Sequence, residues 1–437
     1  MVSSGKLKVA MICPYFAESV GGGDVSTKVF IDELNKRHSD VDVFVLSNKI
    51  NKDKIGGKYS KYNLVKLKFF NFLSTGWRAF LLNTNLFDYY LSLKLMKVIK
   101  KLKINVIHVQ EILYLPAAVK VGKKLGIPVI NTIRDDRFVC NLATCREDAQ
   151  LFYHCSNKQY MKCLRKTSKD TFGFGFLSYF LYGFLRPRSK ILLNSLKKCD
   201  KLVSVSDYVK GNLVKMGVLG ESIMTAYNLI PEWKVDDVEI KELRKKFNSD
   251  NKNQFDGKKF VIFSSGRIVK NKGFQVLIKS LSSVGKDVLV VIAGDGGYLG
   301  ELKKLVLDLG LQDQVKFTGK LSHDEIKNYY AVSDVVIVPS LIKESLSRVI
   351  YDSIGVGKPV IVADVGGNKE LFYTKFSNKY KLVFRHVSDG GKGLDLGWML
   401  NELKKNKRFY NNYWKKFKNF NKENTGAYVK LYYKLRN

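Results

Sequence analysis

Residues 335–370, VVIVPSLIKESLSRVIYDSIGVGKPVIVADVGGNKE, decide the fold. Val335–Val338 is short, apolar and β-branched, the composition of a strand buried on both faces of a parallel sheet. Pro339 and Ser340 end it and Glu344 falls in the loop that follows. The pattern from about Leu346 to Ile354 predicts a helix, broken by Gly355, Gly357 and Pro359. Val360–Ala363 is a second β-branched run, and Gly366-Gly367-Asn368 leads into another helix. Two strand ends and two helix N-termini thus converge on one edge of a sheet. Open α/β sheets bind ligands at that edge.

Two acids stand out there, Glu344 and Asp352, with seven residues between them. Eight helical steps rise about 12 Å, roughly the span from a nucleotide's ribose to a sugar beyond its diphosphate. The spacing alone fits a solvated loop acid and an exposed helix residue equally well. The stretch resembles the signature of the family 4 glycosyltransferases (glycosyl transferases group 1), in which two Glu flank seven residues and are followed by Gly-x-Pro-Val and Asp-Val-Gly-Gly. Here Glu344, Gly357-Lys358-Pro359-Val360 and Asp364-Val365-Gly366-Gly367 match, while the second acid is Asp352, one methylene shorter. The resemblance implies an α/β fold of the GT-B type: two Rossmann-like domains with parallel sheets and an inter-domain cleft. It also implies that Glu344 holds the donor sugar, Asp352 the ribose, and Ser345, Leu346 and Ser347 line the donor site.

The rest of the chain alternates strands and helices, the order of a parallel sheet. Leu7–Cys13 reads as the first strand and Val25–Arg37 as a helix with Asp24 as N-cap. Gly21-Gly22-Gly23 lies between them. Glycines before a helix let backbone N–H groups approach an anion, although a plain flexible turn fits as well. In the family resemblance this loop, with Gly22 and Gly23, faces the donor diphosphate. The strand ending Thr132-Ile133-Arg134-Asp135 stands where the family shows Thr-x-His-Asp, so Arg134 replaces the His with a fixed cation suited to phosphate. His108, at the end of another strand, is a second acceptor-side candidate or simply a packed residue. Further strands are expected at Asn105–Val109, Ile127–Ile133, Lys201–Val205 and Ile223–Ile230.

In the second half Phe260–Ser265 is a strand ending at Gly266-Arg267, with Lys272-Gly273 opening the next helix. Two cations and a helix N-terminus at one turn suit a diphosphate. The resemblance makes Arg267 and Lys272 the phosphate pair, catalytic together with Glu344. Val288–Ala293 runs into Gly294-Asp295-Gly296-Gly297, similar to the family's Gly-Asp-Gly-Pro turn, and the resemblance makes Val315–Gly319 the strand whose end meets the base. Gly266, Gly294 and Gly319 are accordingly donor-binding positions. No metal and no cofactor is expected; the nucleotide sugar, such as a UDP- or GDP-sugar, is substrate.

At 437 residues the chain is large enough for two or three cores. The expected boundaries are 1–230 for an acceptor-side domain with an inserted aromatic and basic segment, 231–257 for a linker and 258–405 for the nucleotide-sugar domain. A final helix in 406–437 is expected to cross back to the first domain. The formal net charge is +35, and residues 1–230 carry 37 Lys+Arg against 17 Asp+Glu. Residues 231–400 are nearly balanced, which argues against a nucleic-acid-binding protein built on charge alone. An anionic membrane surface is the expected partner, with the chain peripheral on the cytoplasmic face. Residues 171–185, TFGFGFLSYFLYGFL, are uncharged, aromatic and too short to span, and Lys158, Lys162, Arg165, Lys166, Lys169, Arg186, Arg188 and Lys190 flank them. Such a stretch is an interfacial wedge or a buried core helix. Tyr89–Lys103 reads as a helix with a solvated lysine face packed on the sheet. Cys140, Cys145, Cys155 and Cys163 lack the Cys-x-x-Cys spacing of a zinc ribbon and read as loop thiols or a structural metal site.

The family resemblance implies a retaining glycosyltransferase moving a sugar from a nucleotide sugar to an acceptor hydroxyl, and the basic first half points to a lipid-linked glycan or an anionic polysaccharide as acceptor. A nucleotide-sugar epimerase or hydrolase on the same fold is the enzymatic rival.

Overall fold

The computed structural model describes residues 5–16, 21–49, 61–67, 84–139, 156–172, 177–249, 259–376, 383–384, 396–405, 417 and 419–436. The chain forms two compact units: Met1–Leu229 with Asn421–Asn437, and Ile230–Phe420.

In the first unit β1 (Leu7–Tyr15), β2 (Val41–Lys49), β3 (Asn63–Lys66), β4 (Val106–Val109), β5 (Val129–Ile133), β6 (Lys201–Ser204) and β7 (Ile223–Thr225) make one sheet in the order β3-β2-β1-β4-β5-β6-β7. Every pairing is parallel, with Val9 of β1 opposite Val43 on one side and Val106 on the other. Between the strands run α1 (Gly22–Arg37), α2 (Asn85–Leu102), α3 (Leu115–Leu125), α4 (Asn157–Phe172), α5 (Leu177–Leu196) and α6 (Asp207–Lys215). The order reverses direction between β1 and β4, so the loops after these two strands open at the sheet's switch point.

The second unit has β8 (Phe260–Ser265), β9 (Val288–Ala293), β10 (Val315–Gly319), β11 (Val335–Val338), β12 (Val360–Ala363) and β13 (Val383–Phe384), in the order β10-β9-β8-β11-β12-β13 and again parallel. Its helices are α7 (Asp237–Ser249), α8 (Phe274–Ser280), α9 (Leu299–Asp308), α10 (His323–Val332), α11 (Arg348–Gly355), α12 (Glu370–Phe376) and α13 (Leu396–Lys405). The switch point here lies between β8 and β11. The final helix, α14 (Phe420–Arg436), returns to the first unit. Its Tyr428, Val429, Leu431 and Tyr432 join the core formed by Val9, Met11, Val43, Phe30 and Leu34.

Several elements differ from the sequence reading. Helix α1 begins at Gly22 with Gly21 as N-cap and no side-chain cap bond, so Asp24 sits in the first turn rather than capping it. There its charge still faces the positive helix end. Helix α11 starts at Arg348, two residues after Leu346, because Ser347 stays extended and donates its N–H to Asn368 Oδ1 at 2.7 Å. The stretch read as a linker contains α7. Arg244 pins that helix by donating to Asp334 Oδ2 (3.0 Å), the Lys259 carbonyl (2.9 Å) and the Val332 carbonyl (3.0 Å). Strand β7 stops at Thr225, not Ile230, and the short edge strands β3 and β13 were not foreseen.

The 171–185 stretch falls on α4, residues 173–176 and α5, and its side chains lie outside the described residues. One of its flanking cations is reassigned. Arg188 is fully buried, donating to both oxygens of Asp88 (2.5 and 3.0 Å) and to the Leu113 carbonyl (3.0 Å). It ties α5 to α2 and cannot touch a membrane. Helix α2 packs as expected, with Leu91, Leu95 and Ile99 buried. Cys140, Cys145 and Cys155 lie outside the described residues.

Candidate active site

In the second unit the loops that follow β8 and β11 flank the switch point, and they carry the predicted acid and cations. Lys272 ends the turn after β8. Its Nζ lies 3.0 Å from Glu344 Oε2 in the loop after β11, and the two side chains are 23% and 12% exposed. The contact depends on Gly273, which adopts φ +75° and approaches the end of β11 so closely that a Cβ would stand 1.8 Å from the Pro339 carbonyl oxygen. Glu344 is fixed on its other sides too. The Ser340 hydroxyl donates to Oε1, and the Glu344 carbonyl accepts from Gly367 N–H at 2.8 Å. Gly366, at φ +55°, lies so near that a Cβ there would stand 2.3 Å from the Glu344 carbonyl oxygen. Gly366 of Asp364-Val365-Gly366-Gly367 is therefore required by the close packing of two loops that hold one carboxylate.

Arg267 stands on the same loop as Lys272 and is exposed. The ends of β8, β9 and β10 are laced together: Gly266 N–H donates to the Ala293 carbonyl (3.0 Å) and Gly294 N–H to the Gly319 carbonyl (2.8 Å). Gly266, Gly294 and Gly319 thus meet at one edge. Ser345 is half-buried and Leu346 and Ser347 are buried, forming the strap from Glu344 into α11.

Asp352 sits one turn into α11, 9% exposed, with Arg348 Nε at 2.9 Å from Oδ1. Burial raises its pKa although Arg348 opposes the shift. Its charge in turn helps push up the Tyr330 phenol, mainly raised by burial, whose hydroxyl is 2.9 Å from Ser265 Oγ. The second acid is thus held inside the site by an ion pair with its helical neighbour. Asn368, which orients Ser347, was missed from sequence; it follows the Gly-Gly pair directly.

In the first unit Gly22 and Gly23 lie exposed in the first turn of α1. The two acceptor-side candidates part company. His108 is completely buried, with Nδ1 2.6 Å from Tyr432 Oη of α14 and Nε2 2.7 Å from Thr132 Oγ1. Burial holds its pKa well below the ordinary value, with Arg134 adding to the shift. A residue so enclosed anchors α14 and does not touch an acceptor, which corrects that assignment. Arg134 is half-buried at the end of β5 and donates to Gln110 Oε1 (2.5 Å) and Asn228 Oδ1 (3.3 Å). Beside it Arg137 bridges Glu111 (2.8 Å) and Asp135 (3.2 Å). Among the described residues no group of three or more His, Cys, Asp or Glu is arranged to hold a metal ion.

Comparison with known proteins identifies the family and the fold. The family profile "Glycosyltransferase Family 4" matches residues 20–232, and "Glycosyl transferases group 1" matches residues 245–412. The alpha-monoglucosyldiacylglycerol synthase of Streptococcus pneumoniae is 26% identical over 360 residues, covering 81% of this chain and 70% of that protein. The GDP-mannose-dependent alpha-(1-6)-phosphatidylinositol monomannoside mannosyltransferase of Mycobacterium tuberculosis is 33% identical over 151 residues, 32% of this chain and 37% of that protein. Among solved structures, HepE of Anabaena in complex with UDP superposes with a TM-score of 0.66 at 16% identity, covering 97% of this chain and 99% of that one. Two parallel sheets, two family profiles that together span most of the chain and these relatives make the protein a GT-B glycosyltransferase of family 4, group 1.

Proposed function

We propose that the protein transfers a sugar, with retention of anomeric configuration, from a nucleoside diphosphate sugar to a hydroxyl of a lipid-linked or other glycan acceptor at the cytoplasmic face of a membrane. The observation that carries the reading is the Lys272–Glu344 pair at the β8/β11 switch point, held by Gly273, Ser340 and Gly366. On this reading Glu344 accepts hydrogen bonds from the donor sugar, while Lys272 and the exposed Arg267 offset the charge that grows on the leaving diphosphate. Asp352, drawn in by Arg348, takes the ribose hydroxyls. Gly266, Gly294 and Gly319 let the nucleotide lie close to the strand ends. Two relatives named for lipid acceptors and a neighbour solved with UDP support the substrate classes.

Attachment to an anionic membrane is supported by the basic first unit and by α2. Leu86, Tyr89 and Leu93 recur at helical spacing on α2 and are 65%, 54% and 52% exposed. The exposed Lys97 and Lys100 continue that stripe. No helix among the described residues is long and apolar enough to cross a membrane.

A thermal-shift screen of UDP, GDP and their sugars tests the donor side, since a ligand at 100 times its dissociation constant adds about 2.7 kcal/mol. The reading requires one nucleotide series to stabilise the wild type and Asp352→Ala to lose most of that stabilisation. No stabilisation by any of them refutes it. Flotation with anionic and neutral vesicles tests the membrane side, with binding to the anionic ones that salt releases.

A further inference from the structure

Arg348 is the first residue of α11 and Asp352 stands four residues on, with Arg348 Nε 2.9 Å from Asp352 Oδ1. Helix electrostatics disfavour that order. A cation in the first turn meets the positive end of the helix dipole, and a base four residues before an acid is the weaker of the two i,i+4 arrangements. The pair is nevertheless enclosed: the two side chains are 11% and 12% exposed, and the guanidinium Cζ stands 5.7 Å from the centre of the buried Tyr351 ring. The stability of α11 gives no reason for a cation at its start. The acid one turn on gives one.

Burial works against the charge of Asp352, raising its pKa, and Arg348 opposes the rise. The elements packed on α11 bring no other cation to it. From α10 comes Tyr330, a phenol that burial keeps neutral; β11 and β12 are built of Val, Ile and Ala; and Pro231 and Trp233 meet the helix at Gly355. The pair also sets a direction. Oδ1 is engaged by Arg348, while Oδ2 accepts no bond from any described residue. A carboxylate fixed on a helix by one oxygen offers a ligand the other. Ionised, it accepts a hydroxyl proton about twice as strongly as a neutral acceptor does.

We propose that Arg348 is a positioning residue for the donor nucleotide: by pairing with Asp352 it keeps that acid charged inside the site and leaves Oδ2 directed to a ribose hydroxyl. This deepens the function proposed above and rests on the ribose role given there to Asp352.

The test is calorimetry of UDP and GDP binding to the full chain between pH 5 and 9, with Arg348→Met, Arg348→Lys, Asp352→Asn and the Met/Asn double variant. Protonation removes the acceptor, so affinity is full above the folded pKa of Asp352 and falls as pH drops through it, by up to about tenfold per pH unit. Without Arg348 burial raises that pKa further, so in Arg348→Met the fall should begin at higher pH. At pH 7 its binding should be about 10-fold weaker. Arg348→Lys keeps the charge and should restore most of the wild-type profile. Asp352→Asn should bind weakly with none of the acid's pH dependence, and adding Arg348→Met should cost nothing more. General destabilisation would shift no pH profile.

An Arg348→Met profile that coincides with the wild type overturns the inference. So does a loss from Arg348→Met that is equally large in the Asp352→Asn background, since Arg348 would then touch the nucleotide itself. Should the Met variant fold poorly, wild type and Asp352→Asn still decide, because one pH profile shared by both removes Asp352 as the titrating group and overturns the inference. Wild-type affinity in Asp352→Asn, or no binding of UDP or GDP to the wild type, refutes the donor assignment made above, and the role of Arg348 falls with it.

Discussion

Gly273→Ala tests whether the candidate donor site depends on the close approach of two loops. Gly273 has φ +75°, and an added Cβ would meet the Pro339 carbonyl oxygen at 1.8 Å, where contacts under 3.0 Å are essentially never found. The obstacle is backbone at the end of β11, a strand buried along its length, so a side chain cannot swing away to relieve it. The turn must retreat by about 1.2 Å, the gap between those two distances. A left-handed non-glycine residue costs a further 1–2 kcal/mol or so. Lys272 is the adjacent residue, and its Nζ is 3.0 Å from Glu344. Moving it by more than 1 Å breaks the pair, and misplacement on that scale costs about 10²-fold in rate. The expected outcome is a loss of turnover near that size with a lower melting temperature. Gly300→Ala is the control. It lies in α9 with nothing within 4 Å of its added Cβ, and should stabilise by up to about 1 kcal/mol without changing turnover. A Gly273→Ala protein with wild-type stability and turnover would refute the reasoning.

Arg267→Ala should reduce turnover about 10²–10³-fold while leaving the melting temperature within a degree or two, because the side chain is exposed; steady-state kinetics beside a thermal melt check both. Arg188→Ala should destabilise the first unit by about 3–5 kcal/mol, since it strands Asp88, whose pKa burial raises even with the ion pair present; urea unfolding reads this. His108 gives a pH dependence. Its folded pKa lies well below 6.5, so the unfolded chain binds the extra proton and the native state does not. Its contribution to stability is therefore complete above 6.5 and is lost as pH falls from there toward the folded pKa, at up to about 1.4 kcal/mol per pH unit. A His108→Asn variant should show a flatter decline in melting temperature between pH 6.5 and 5; an unchanged slope would remove His108 as the cause.

Much of the second unit was legible because its strands are written in one chemistry. Phe260–Ser265, Val288–Ala293, Val335–Val338 and Val360–Ala363 are largely apolar runs that end at Gly, Pro or a short polar turn, Val315–Gly319 is more polar but closes on a glycine, and the structure gives all of them those bounds. The elements that were missed lack that contrast. Helix α7 is polar and gains its place from Arg244 bonds to partners about 90 residues away, which no local pattern reveals. Of the candidate site residues, Arg267 and Lys272 were visible as charges next to glycines, and Glu344 and Asp352 as two acids with seven residues between them. Their contacts were less so. The i,i+4 spacing of Arg348 and Asp352 permits the ion pair that forms, but nothing local pairs Lys272 with Glu344 on another loop. Arg188 looked like a flanking membrane cation because its partner, Asp88, is 100 residues earlier. His108 at a strand end read as either a site residue or a packed one, and only α14, at the far end of the chain, decides for packing.

The candidate donor site keeps its cation in an ion pair, and the partner it is given bears on how a ligand would enter. In the second unit Lys272 is matched by Glu344, so without donor neither charge is left unpaired in a site that is mostly shielded from water. On the function proposed above, an arriving diphosphate would offer Lys272 a partner of higher charge, and the sugar hydroxyls would offer Glu344 donors in exchange. Donor binding would then be a swap of partners rather than the desolvation of bare charges, which would cost several kcal/mol per ion.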